Sequence, residues 1–83
     1  MNDHRLLSHL GLGQEGVIAS VDAPEGLKKR LVALGFRAGR TVRLVRQAAL
    51  AGPLQVRLGS TDIALRPREA DGIRLRPAAP VSA

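Results

Sequence analysis

The chain has 83 residues, no cysteine, a single aromatic residue and a formal net charge of +6. That length allows one small core with little stability to spare, and the lack of cysteine excludes both a disulfide framework and a thiolate metal site as added support. Apolar runs too short for a bilayer, a start (Met1-Asn2-Asp3-His4) without the basic and apolar regions of a signal peptide, and Phe36 as the only base-stacking platform together predict a cytoplasmic protein with no nucleic-acid ligand.

In chain order, Arg5-Leu6-Leu7-Ser8-His9-Leu10 spells a helical turn, broken by Gly11-Leu12-Gly13. Gln14 to Val21, rich in β-branched residues, predicts a first strand. Asp22 is placed to act as an N-cap, with Pro24 in the first turn and Glu25 three residues after the cap. Leu27, Leu31 and Leu34 follow at i, i+4 and i+7, predicting one buried helix face, while Lys28 and Lys29 point to solvent. Gly35 stops the helix by taking a left-handed conformation, and Phe36 is then placed to fold back onto Leu31. Gly39 supplies a second reversal before a strand over Thr41 to Gln47, with Val42 and Leu44 inward and Arg43 outward. After the loop Ala48-Ala49-Leu50-Ala51-Gly52-Pro53 comes a third strand, Leu54 to Leu58, and a turn at Gly59-Ser60-Thr61-Asp62. A fourth strand runs from Asp62 to Arg66, with Ile63 and Leu65 inward. Pro67-Arg68-Glu69-Ala70 reads as a single helical or 3₁₀ turn released by Gly72. Ile73 and Leu75, alternating with Arg74 and Arg76, make a short closing strand, and Pro77 to Ala83 is a Pro/Ala tail with little reason to be ordered.

About five short strands and one inserted helix in so few residues cannot cover a flat sheet on both faces, so the sheet must curl. The expectation is an all-β, partly open small barrel over residues 1–76, with the helix closing one end through Leu27, Leu31 and Leu34.

The order of these pieces resembles the ferrous iron transport protein A (FeoA) family. The match runs from about Leu7 to Leu75 and is carried by Arg30-Leu31, Leu34-Gly35 and Gly39, then by Ala48, Leu50, Gly52 and Pro53, by Ile63-Ala64-Leu65-Arg66, and by Glu69-Ala70 with Ile73. The chain departs from the usual loop pattern at Ala49, where proline is common, and at Ala51, where glycine is common. The resemblance implies a barrel like the Src-homology-3 (SH3) domain. It also implies a non-enzymatic accessory or regulatory role beside a membrane ferrous iron transporter of the FeoB type, which has a cytosolic GTP-binding domain. A second implied kinship is with the SH3-like C-terminal domain of iron-dependent repressors of the diphtheria toxin repressor type.

An aromatic-lined groove for proline-rich peptides has no residues to build it here, so a partner must be held by aliphatic and arginine contacts. Leu50, flanked by Ala49 and Ala51, is the natural anchor if it stands at a loop tip, and the alternative is that it folds back over the open end of the barrel. Lys28, Lys29, Arg37 and Arg46 are the basic residues suited to an acidic partner face, although most arginines here read as a solvated surface. A basic nucleic-acid-associated or ribosome-associated barrel is the rival reading, favoured by charge and disfavoured by the missing aromatics. Arg30 and Arg66 suit structural roles, with their heads reaching Glu69 or a backbone carbonyl. His4 and His9 are the only residues that suggest metal. Their i, i+5 spacing does not share a helix face, so the expectation is no intrinsic site and at most an opportunistic Zn²⁺ held between molecules, with a weak homodimer as one outcome. Ser8 beside His9 has no orienting acid identifiable from sequence, which points away from catalysis.

Overall fold

The computed structural model describes residues 5–77. Strands β1 (Arg5–Leu6), β2 (Glu15–Val21), β3 (Thr41–Gln47), β4 (Leu54–Leu58), β5 (Thr61–Leu65) and β6 (Ile73–Pro77) form one antiparallel sheet in the order β1-β6-β2-β3-β4-β5. Helix α1 (Glu25–Ala33) links β2 to β3, the four-residue helix α2 (Pro67–Ala70) links β5 to β6, and a 3₁₀ turn occupies Leu7–His9. The sixth strand is the pair Arg5–Leu6, read from sequence as part of a helical turn. Backbone pairing of Arg5 with Leu75 and Leu6 with Arg74 holds it extended. β6 also runs one residue beyond the expected closing strand, Pro77 lying opposite Gly16. The rest of the predicted tail lies outside the described residues.

Alternation along the strands decides which side chains meet. Ile18, Val42, Leu44, Leu54, Val56, Leu58, Leu65, Ile73 and Leu75 turn inward and, with Leu7, Leu10, Leu31, Phe36 and Ala70, make one buried apolar cluster. Two register shifts, between Ile18 and Ser20 and between Leu44 and Arg46, insert an extra residue in β2 and in β3. Such bulges bend a strand and increase its twist, which lets a single sheet wrap its own core. β1 and β5 remain as edges, so the barrel is open between them.

α1 starts later than the sequence suggests. Pro24, extended at φ −53° and ψ 152°, is the N-cap and supplies no side-chain cap, and the first helical bond runs from the Lys28 N–H to the Pro24 carbonyl at 2.8 Å. Asp22 sits two residues too early to reach that end. It donates its N–H to the Gly72 carbonyl and its carboxylate faces Arg74 at 3.4 Å. The helix ending follows the sequence closely: Gly35 has φ 108°, its N–H bonds the Val32 carbonyl, and the Phe36 N–H reaches back to the Leu31 carbonyl at 3.0 Å. That pair of bonds is a Schellman ending. It also explains a departure, because Leu34 is 41% exposed and not part of the end plug. The chain reverses at Gly35, so Phe36 fills the space above Leu31 that Leu34 would have taken, and α1 closes the barrel with Leu31 fully and Leu27 partly.

Candidate protein-docking site

The β3–β4 hairpin ends in a tight turn. The Ala48 N–H donates to the Pro53 carbonyl at 3.0 Å and the Gly52 N–H to the Ala49 carbonyl at 3.2 Å, which leaves Leu50 and Ala51 as the two central residues. Both are left-handed, with φ 59° and 58°. Two successive positive φ angles are the pattern of a type I′ turn, which suits the twist of a hairpin and normally takes Asn-Gly. An L side chain there costs about 1–2 kcal/mol per residue. Leu50 is 100% exposed, so it touches nothing among the described residues that offsets the cost, and the fold-back over the barrel end does not occur.

A left-handed backbone at position 51 favours glycine over alanine. Ala51→Gly is expected to stabilise the fold by about 1 kcal/mol, by relieving the left-handed strain, and to raise the melting temperature by roughly 4–8 °C. Thermal unfolding followed by circular dichroism checks this, and an unchanged or lower midpoint would contradict a left-handed Ala51.

The structure divides the predicted docking residues into two groups. Arg46, exposed near the end of β3, belongs with Ala49, Leu50 and Ala51 at the hairpin tip. Lys28 and Lys29 lie on the exposed face of α1, and exposed Arg37 follows that helix. Gly35 is packed against the opposite end of the hairpin, where an added Cβ would lie 3.1 Å from Leu58 Cδ2. The helix ending and the tip are thus separated by the length of the strands, roughly 15–20 Å at 3.3 Å per residue. Sequence reasoning missed Leu12, which is 69% exposed. The Gly13 N–H bonds the Leu44 carbonyl, and the Leu44 N–H bonds the Gln14 carbonyl, which directs the backbone at Leu12 toward the tip end of β3. Its signal in the sequence was a leucine between two glycines, a setting with no strand or helix to bury it.

The motif residues have structural placements. Leu31, Leu65, Ala70 and Ile73 are in the core. Gly39, at φ 92°, donates its N–H to the Ile18 carbonyl, while the Arg40 carbonyl accepts from the Ile18 N–H, so the reversal continues the β2–β3 pairing. Glu69 is the one buried charged residue among those described. Its Oε2 accepts from Arg30 Nη1 at 2.9 Å, and its Oε1 accepts the Arg66 backbone N–H at 2.8 Å. Arg66 therefore meets Glu69 through its main chain and not through its guanidinium.

On the outer face of the sheet, Glu15, Arg43, Arg57 and Asp62 stand directly opposite one another on β2, β3, β4 and β5, forming a row of one carboxylate, two guanidiniums and one carboxylate. Arg43 Nη2 lies 3.3 Å from Glu15, and Arg57 grips Asp62 with two bonds of 2.8 and 3.1 Å. The hydrogen bonds from Arg57 hold the Asp62 carboxyl below its ordinary value, helped by a bond from Gln55, and the same pairing raises Arg57.

Ser8 is engaged by an acid and not by neighbouring His9. The Ser8 hydroxyl donates to the Asp71 carboxylate, tying the 3₁₀ turn to the end of α2. An acid bonded directly to the serine leaves no histidine between them to take its proton. Among the described residues no group of three His, Cys, Asp or Glu side chains could hold a metal ion, and His9 is exposed. His4 lies outside the described residues. No helix among those residues is long and apolar enough to cross a membrane.

Comparisons with known proteins bear on the fold and the family. A family model described as the FeoA domain matches residues 5–77. An Fe(2+) transport protein A/Fe(2+) transporter FeoB fusion protein of Porphyromonas gingivalis is 32% identical over 69 residues, covering 83% of this chain and 8% of the fusion, so the chain spans less than a tenth of that relative. Among solved structures, Stenotrophomonas maltophilia FeoA, determined in complex with zinc and described as a procaryotic SH3 domain protein, is 34% identical. It superposes with a TM-score of 0.75 over 89% of this chain and 99% of its own. A manganese-dependent transcriptional repressor superposes at 0.84 with 19% identity over 94% of this chain and 44% of its own, a likeness of fold alone.

Proposed function

The chain belongs to the FeoA family, and we propose that it is a non-enzymatic accessory protein of ferrous iron uptake which docks through its β3–β4 tip on the cytosolic side of a FeoB-type transporter. The fusion relative supports the pairing, since one polypeptide there carries both kinds of module. Tethering raises the effective concentration of a weak contact, an arrangement that favours modules which engage one another. The single observation that carries the tip is Leu50, an apolar side chain held fully in solvent on a costly backbone. Strain of that kind persists where the surrounding structure over-determines it, and it concentrates at binding sites. Leu12 and Arg46 extend the same end into a small apolar and cationic surface. Docking there acts on the transporter by differential affinity for two of its states and needs no chemistry from this domain.

A pull-down against the transporter's cytosolic segments tests the reading. Leu50→Asp is expected to weaken capture by about thirtyfold, the size of a loss at an interface hot spot, with an unchanged circular dichroism spectrum. Ala51→Gly, which keeps Leu50, is expected to bind as the parent does. Capture undiminished by Leu50→Asp would remove the tip from the interface. A cofactor is not required in this role, and a divalent ion held by the imidazole of His4 or His9 with a carboxylate from a neighbouring molecule would be an adventitious contact.

A further inference from the structure

We propose that the outer face of the sheet carries an oxyanion site formed by Arg40, Arg43 and Arg57, separate from the docking tip. The charged row gives the first reason. Arg43 and Arg57 are direct cross-strand partners, and like charges in that relation repel. Each is steadied from outside by a single carboxylate, Glu15 on one flank and Asp62 on the other, so the space between the two guanidiniums holds no negative group of its own.

Arg40 gives the second reason. It enters from the turn before β3 and lines the same groove as Glu15, Thr41, Arg43, Arg57 and Gly59. Among the described residues no carboxylate lies within ion-pair distance of it. Its Nη2 rests 3.1 Å from the position a Cβ would take on Gly59, and Gly59 has φ 65°. The β4–β5 turn thus presents bare backbone where the guanidinium lies. Three guanidiniums against two carboxylates leave the groove with one uncompensated positive charge. An oxyanion seated between them would relieve the Arg43–Arg57 repulsion and give Arg40 the partner it lacks. Arginine suits that task because its planar fork offers paired N–H donors to a carboxylate or a phosphate.

The ligand chemistry is a small oxyanion, supplied either by a phosphate group or by a carboxylate. The test is an NMR titration of the full chain, with arginine Nε–H signals observed, using sodium phosphate and sodium acetate in parallel against sodium chloride at matched ionic strength. Saturable shifts confined to the Nε–H signals of Arg40, Arg43 and Arg57 and to the Thr41 and Gly59 amides are expected with phosphate, with acetate or with both, and the anion that saturates at the lower concentration identifies the source. Arg40→Gln keeps both ion pairs of the row and is expected to weaken the saturating anion about tenfold or more, the scale of one charge-assisted hydrogen bond. Arg68→Gln, on helix α2 and outside the groove, is expected to change nothing. Shifts that match those in chloride, or an affinity untouched by Arg40→Gln in a variant with the parent's amide spectrum, would overturn the proposal.

Discussion

Phe36→Ala is expected to lower the stability of the fold by about 3–5 kcal/mol, the range for deleting a fully buried aromatic side chain. Phe36 is the only aromatic residue of the chain and is completely buried. It sits one residue past the helix ending, where its N–H closes the Schellman motif on Leu31. Truncation therefore opens a cavity beneath α1 while the main-chain motif, which needs no side chain, remains. A domain of this size has roughly 4–12 kcal/mol in total, so the variant loses about a quarter of its margin or more. Urea unfolding followed by circular dichroism measures it, since the chain has no tryptophan or tyrosine to report by fluorescence. Phe36→Leu is expected to cost about 1.5 kcal/mol or less. Equal losses for the two variants would mean that cavity formation is not the cause.

Glu69→Ala is expected to cost about 2–3 kcal/mol, more than its single ion pair accounts for. The partner Arg30 has a side chain 63% exposed, so its charge returns to water when Glu69 is removed, and the pair itself contributes on the scale of a surface bridge. The larger loss is at Glu69 Oε1, which satisfies the Arg66 N–H at the start of α2. Hydrogen bonds to a charged group are worth about 1.5–3 kcal/mol, and a donor left without its acceptor adds a desolvation cost. Helix α2 has only four residues and no side-chain cap from Arg66. Glu69→Gln, which keeps an acceptor for that N–H, is expected to recover more than half of the loss, and Arg30→Gln to cost under about 1 kcal/mol. Denaturant midpoints for the three variants measured together check this order. A loss for Arg30→Gln as large as that for Glu69→Ala would place the energy in the ion pair instead.

Much of this arrangement was legible in the residues because it depends on local spacing. The run Leu31 to Gly39 encodes the helix, its glycine stop and the return of Phe36, and the alternations at 42–44, 54–58 and 73–75 encode which strand faces are buried. The errors also have local causes. Asp22 has the chemistry of a cap, but extended Pro24 places it too early, and Leu34 has the spacing of a core residue but stands where the chain reverses. Arg5–Leu6 became a strand only because residues 74 and 75 lie beside it, a fact no window of a few residues contains. The same limit hid the charged row. Glu15, Arg43, Arg57 and Asp62 are scattered through the chain, and only the pairing register brings them into line. The loop alone marks Leu50 as a candidate anchor, whereas its left-handed backbone depends on hydrogen bonds between residues that composition does not link.

Strand β6 lies between β1 and β2, so the last strand described fills the gap between the first two. On the ribosome, β2 can recruit β3 soon after it emerges, but β1 has no lateral neighbour until residues 73–77 are made. At about 5–20 residues per second the wait from Val21 to Ile73 lasts roughly 3–10 s. During that interval Leu7 and Leu10 lack the closing strand they will share a core with. The barrel thus cannot close on β1 before residues 73–77 are available to it.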